Sequence, residues 1–263
     1  MIYSNRRRPT LHTAPPPSVT VVIPAYQAEL TAYEQISLRQ CVTLLGRYPL
    51  VVVKPQGLDL TAWGAVFPAL QFESFEDHYF RSVAGYNELL CSEAFYQRFL
   101  HREFMLICQL DAFVLRDTLA EWCQKPYDYV GAPQFADVRP RRAESETLRT
   151  RLSRLFQRPL LNGGLSLRRV EACLRLLRVY HRLHPRWPGN EDGFFSLHYP
   201  RLLPYRPLLR LPDAREALRF AIELEPARSV ALNDGELPLG CHAWYTYDLD
   251  FWRPIVRQFG HNL

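Results

Sequence analysis

The chain has 263 residues, 48% of them hydrophobic and 22% charged, a balance that buries a sizeable core and excludes a fibrous or largely disordered protein. Its net charge of +5 is mild and concentrated in Arg6, Arg7 and Arg8 and in the stretch 139–158, so a basic groove for nucleic acid is not expected. Six cysteines lie scattered without a CxxC pair or a metal-finger spacing, which fits free thiols in a reducing, cytoplasmic setting.

Residues 1–18 are basic and then proline-rich, with little to bury; they read as a disordered lead-in and not as a secretory signal. No stretch reaches the ~18 apolar residues of a membrane span, so the domain expected over 19–263 is soluble or held at a membrane only by its surface. Order begins with a β-branched run over 19–23, stopped by Pro24. Thr31 and Glu34 form a capping box that opens a helix carrying Ile36, Cys41, Leu44 and Leu45 and ending at Gly46. A second apolar run, 50–53, stops at Pro55; a short helix over 61–67 and a strand over 70–75 follow. Two helical segments, 85–90 and 92–100, lead into the apolar strand 104–108, and Asp117 is placed to cap a helix over 118–123 before a strand at 127–130. This alternation predicts an α/β fold, a Rossmann-like central sheet that is mostly parallel, flanked by helices and right-handed in its crossovers.

The segment 136–158 differs from its surroundings, with seven arginines around only Asp137, Glu144 and Glu146. Leu148, Leu152, Leu155 and Phe156 recur in it at helical spacing. It reads as a surface insertion or, alternatively, as a lid or a patch that touches a phosphorylated acceptor or, peripherally, an anionic membrane. A long helix over 169–184 precedes a proline-rich, loop-dominated stretch.

Open parallel sheets bind ligands beyond the carboxyl ends of their strands, so the residues just after each apolar run carry the chemistry. Asp111 follows the strand 104–108, where a carboxylate either caps a turn or holds a divalent cation through oxygen. Asn162-Gly163-Gly164 offers backbone that a ligand can approach closely, or a plain tight turn. Glu191 and Asp192 set two carboxylates in one loop, suited to general-base work or to a helix N-cap. His242 lies beside the aromatic surface of Trp244, as a ligand or as a satisfied structural histidine.

The order of these motifs resembles the GT-A glycosyltransferases. More closely, it resembles a glycosyltransferase-like family with the layout VVIP at 21–24, QLDAF at 109–113, YDYVGAP at 127–133, NGGLSLR at 162–168, EDGFFS at 191–196 and GCHAW at 240–244. The resemblance covers residues 19–252 and implies a nucleotide-sugar donor and a glycan or other hydroxyl acceptor. By the same resemblance, Ala25, Tyr26, Gly85, Tyr86 and Asn87 contact the base and ribose, and Asp111 takes the acidic position of the metal-binding DxD motif. Asn162, Gly163, Gly164 and Trp244 border sugar and acceptor, Glu191 and Asp192 match the acidic pair of inverting enzymes, and His242 completes the metal site. The DxD is incomplete, because Gln109 and Phe113 flank Asp111; one carboxylate, His242 and diphosphate oxygens are then left to hold Mn²⁺ or Mg²⁺. Asp192 is the expected base of an inverting displacement. The expectation is that Asp111, Asn162, Asp192 and His242 share one cleft. Two alternatives compete: a nucleotide-sugar or glycan-binding module without catalysis, and a sugar-phosphate nucleotidylyltransferase. Against the latter, Pro24-Ala25-Tyr26-Gln27 stands where its glycine-rich, lysine-bearing loop belongs.

Overall fold

The computed structural model describes residues 18–134, 159–184, 186–198 and 209–263. The expected lead-in over 1–18, Ser18 excepted, and the arginine-rich segment 136–158 lie outside these residues.

Nine strands form in the described residues: β1 (Val19–Pro24), β2 (Leu50–Pro55), β3 (Leu70–Phe75), β4 (Phe104–Cys108), β5 (Phe113–Val114), β6 (Tyr129–Pro133), β7 (Leu161–Arg169), β8 (Ala221–Ile222) and β9 (Gly240–Cys241). The main sheet runs β3-β2-β1-β4-β7-β6. Strands β3, β2, β1 and β4 are parallel, and β7 runs against both β4 and β6. β1 and β4 are buried along their whole length, as strands covered on both faces must be, and their β-branched and large apolar side chains fill that space. Ala32–Leu45, opened by the Thr31–Glu34 capping box, and Val170–His181 are the two longest described helices.

Three local expectations change. The strand expected at 127–130 is Tyr129–Pro133, because Asp128 is held at its threshold by Arg169 and Arg210. Asp117 does not cap the helix Leu119–Gln124; its carboxylate binds Arg47 and Tyr48 instead. The residues NGGLSLR lie inside β7 and not in a turn, and the strand runs straight into the helix Val170–His181.

Because β7 is antiparallel, its first residues arrive at the carboxyl end of β4, with Cys108 opposite Leu165. The small sheet β5-β9-β8 stands beside that end, and its parallel strands β8 and β9 finish together, with the His242 amide bonded to the Ile222 carbonyl (2.9 Å). Beneath it, Phe113, Trp244, Trp252 and Val256 form a second apolar cluster that fixes the helix Leu249–Gln258.

Candidate functional site

The carboxyl ends of four strands deliver side chains to one place: Tyr26 from β1, Gln109 and Asp111 from β4, Glu223 from β8 and His242 from β9, facing Asn162 at the start of β7. His242 is the hub. Its Nδ1 lies 3.0 Å from Glu223 Oε1, and its Nε2 lies 3.2 Å from both Gln109 Oε1 and Asp111 Oδ1. Nε2 carries a single N–H for both, better aligned on Gln109, so Asp111 pairs with the ring mainly by charge and shares that donor. Asp111 Oδ1 is thereby buried with no well-aligned hydrogen bond of its own. A buried carboxylate oxygen without a partner is costly, which marks a position kept for something other than the fold. Burial alone lowers the His242 pKa, but the facing Asp111 and Glu223 more than reverse this and hold it up to about 10.

Glu223 ties the cluster together. Its Oε1 also accepts from Asn162 Nδ2 (3.0 Å), while Asn162 Oδ1 accepts the Gly164 amide (2.7 Å). The bareness of β7 at this point is required. A Cβ on Gly164 would lie 2.0 Å from His242 Nε2, and one on Gly163 2.0 Å from Glu191 Oε1, closer than any side chain allows. Consecutive strand residues point to opposite faces, so His242 and Glu191 pack against opposite faces of the same strand. Side chains occupy the space that these glycines leave.

On the Glu191 face the chemistry is structural. The Glu191 carboxylate is 5% exposed and accepts from Arg168 Nη2 at 2.5 Å. Arg168 is itself fully buried, bonded to Tyr96 and Ser166 and lying over the Tyr129 and Phe195 rings. Glu191 is therefore an anchor for its loop and not a free catalytic carboxylate. Asn87 reinforces it, accepting the Glu191 amide (3.0 Å) and donating to Asn190 (3.2 Å). Asp192 is the carboxylate left available at this end. Burial and then its neighbour Glu191 raise its carboxyl to about 6, against a hydrogen bond from the Gly193 amide. Glu223 contributes to the same rise, so Asp192 and the His242 cluster feel each other across the end of β7.

Tyr26 lines this end with 44% of its surface open and its ring edge-on to Tyr86 (5.5 Å). Tyr86 is buried and hydrogen-bonds Gln109, which links the tyrosines to the His242 cluster. Two expected contacts fail. Ala25 is wholly buried, its amide bonded to the Val53 carbonyl. Trp244 is wholly buried too, its indole N–H donating to Ser37 (2.9 Å); it is a core residue and cannot border a sugar. Sequence reasoning missed Glu223 and the roles of Arg168 and Gln109. The one usable signal was general: a buried histidine with work to do needs an acceptor for its second nitrogen.

A family model described as a protein of unknown function, DUF5672, matches residues 69–242. The chain belongs to the DUF5672 family. The matched span encloses Asp111, Asn162, Asp192, Glu223 and His242 and leaves out β1 and β2. No curated protein matches the chain. Among solved structures, this DUF5672 member is similar to the galactosyltransferase LgtC in complex with donor and acceptor sugar analogues. The identity is 11%, with a TM-score of 0.54 over 91% of this chain and 95% of that one. An active-site mutant of LgtC gives 12% identity and a TM-score of 0.53 over 85% and 86%. The mannosyltransferase PcManGT from Pyrobaculum calidifontis, in complex with GDP-Man and Mn2+, is 22% identical over 61% of this chain, with a TM-score of 0.39; the chain spans 46% of its length. The LgtC likeness is one of fold: a GT-A-type α/β domain with a mostly parallel central sheet.

Proposed function

We propose that this DUF5672 chain is a nucleotide-sugar-dependent glycosyltransferase that transfers a hexose to an acceptor hydroxyl with inversion. The observation that carries the reading is the orphaned Asp111 oxygen beside His242 at the carboxyl end of β4, on a GT-A-type sheet, with Asp192 across the end of β7. The similarity in fold to LgtC, which binds donor and acceptor sugar analogues, supports the choice of substrates.

The donor set suits a divalent cation. Asp111 Oδ1 has no other partner, and Glu223 on Nδ1 turns the other ring nitrogen of His242 towards it. Among the described residues no group of three or more His, Cys, Asp or Glu forms a full cage, so Asp111 and His242 would share the ion with donor phosphates. When bound, Mn²⁺ or Mg²⁺ would offset the negative charge that develops on the departing diphosphate. Tyr26 presents an open aromatic flank for the nucleotide, and Asn162, fixed by Glu223, faces the sugar side. The acceptor oxygen attacks the anomeric carbon as its proton passes to Asp192. The bond from that carbon to the phosphate oxygen breaks, and its electron pair leaves with the nucleoside diphosphate. One displacement inverts the anomeric centre. The six cysteines, all buried and unpaired, suit a reducing compartment such as the cytoplasm. No described helix is long and apolar enough to cross a membrane.

A thermal-shift screen of nucleotide sugars with and without Mn²⁺, followed by turnover of the hits, tests the reading. A cation-dependent rise in melting temperature and release of nucleoside diphosphate are expected. The missing second acid of the DxD favours one other reading, a binding module without catalysis. A donor that binds and is never consumed, with water or any acceptor, would establish that alternative.

A further inference from the structure

On the Glu191 face, a groove of about 560 Å³ opens between the helix Val83–Leu90 and the loop before Glu191. Its walls combine Trp187, the small apolar Val83 and Ala84, and the amides of Asn190 and of Asn87, the latter expected beside the donor's base and found holding the Glu191 loop instead. Glu88 and Arg186 also line it and neutralise each other at 2.5 Å. Resting on the reading above, we propose that this groove binds the acceptor and that the acceptor is a neutral saccharide.

The argument is one of complementarity. A sugar ring presents apolar C–H faces and a rim of hydroxyls, and a groove that pairs an indole with planar amides offers a partner for each. The volume suits one or two sugar rings. A diphosphate or an acidic glycan needs an uncompensated cation, and the arginine lining this groove is engaged by Glu88. Position assigns it to the acceptor. Asn87 accepts the Glu191 amide and donates to Asn190, and Asn190, which lines the groove, stands two residues before Asp192, so the groove ends on the segment that carries the proposed base. The donor's cation ligands lie against the other face of β7.

Two variants and two measurements test this. Ala84→Trp fills the groove from an exposed helix position, and Trp187→Ala removes the platform. Each should raise the acceptor KM about tenfold while leaving donor affinity by calorimetry unchanged. Saturation-transfer NMR on the protein alone, with the methyl glycosides of lactose, maltose, cellobiose and mannobiose, should give a signal that Ala84→Trp suppresses. An acceptor KM unmoved by both variants overturns the proposal, as does NMR transfer that is absent or indifferent to Ala84→Trp. If no nucleotide sugar binds at all, the transferase reading falls, and the NMR result decides separately whether the groove is a saccharide site.

Discussion

The two ends of the central sheet each hold a carboxylate near the core, and they treat it in opposite ways. At the end where β4 begins, Asp128 is 4% exposed and receives four donors: Arg169 Nε (3.1 Å) and the amide, Nε and Nη2 of Arg210 (2.8, 3.0 and 2.9 Å). Every lone pair in reach is used, and the result is a clasp that fastens β6 to β7 and to the chain at 209–211. At the end where β4 finishes, Asp111 keeps a buried oxygen with no well-aligned donor, facing a histidine N–H better aimed at Gln109. The same residue type thus serves stability where its hydrogen bonds are complete and is available for binding where they are not. A satisfied buried ion pair locks geometry, whereas an unsatisfied one holds free energy that a ligand can release.

The largest effect that can test this contrast is on turnover. Asp192→Asn should lower kcat by ~10²–10⁴-fold with donor affinity intact, measured with a confirmed acceptor. As a base, Asp192 must be deprotonated, so kcat/KM should fall as pH drops below about 6. The linkage runs the other way for stability. Its folded pKa of about 6 lies above the ~4 of an unfolded aspartate, so folding is favoured as pH falls through that window. At neutral pH, Asp192→Asn should therefore melt higher than the parent; a lower melting point would contradict the strained-carboxylate account. Next, Asp111→Asn should weaken Mn²⁺-dependent donor binding by at least ~100-fold and leave the urea midpoint unchanged or raised. Asp128→Asn should do the reverse, costing about 2–3 kcal/mol of stability with donor affinity unchanged once folded; Arg210 reaches water, which keeps the loss below that of a fully buried pair. The smallest effect is expected at Glu223→Gln, where Mn²⁺ affinity, read by electron paramagnetic resonance, should fall ~10-fold because the His242 ring loses its charged partner. If Asp111→Asn and Asp128→Asn both unfold the protein and neither changes binding, the two ends do not differ in the way described.

The strands of the parallel sheet were legible because burial on both faces writes a continuous apolar run, as at Leu50–Pro55 and Phe104–Cys108. The capping box at Thr31 was legible for a similar reason, since its partner Glu34 is three residues away. The position of Asp111 just past a strand end followed from the same local pattern. Other features of the site were not written locally. The NGG residues look like a turn in isolation, yet their bareness makes room for Glu191 and His242, which arrive 28 and 78 residues after Gly163 and Gly164 respectively. Trp244 looks like a ligand platform in GCHAW and is instead sealed by Ser37, 207 residues away. Glu223 carries no motif; it gains its role only when β8 and β9 finish side by side. Secondary structure and strand ends follow from side chains within a turn or two of one another, and the sequence by itself determined them. Which carboxylate is clasped and which is left open depends on donors brought from distant strands, and only the closed sheet decided that.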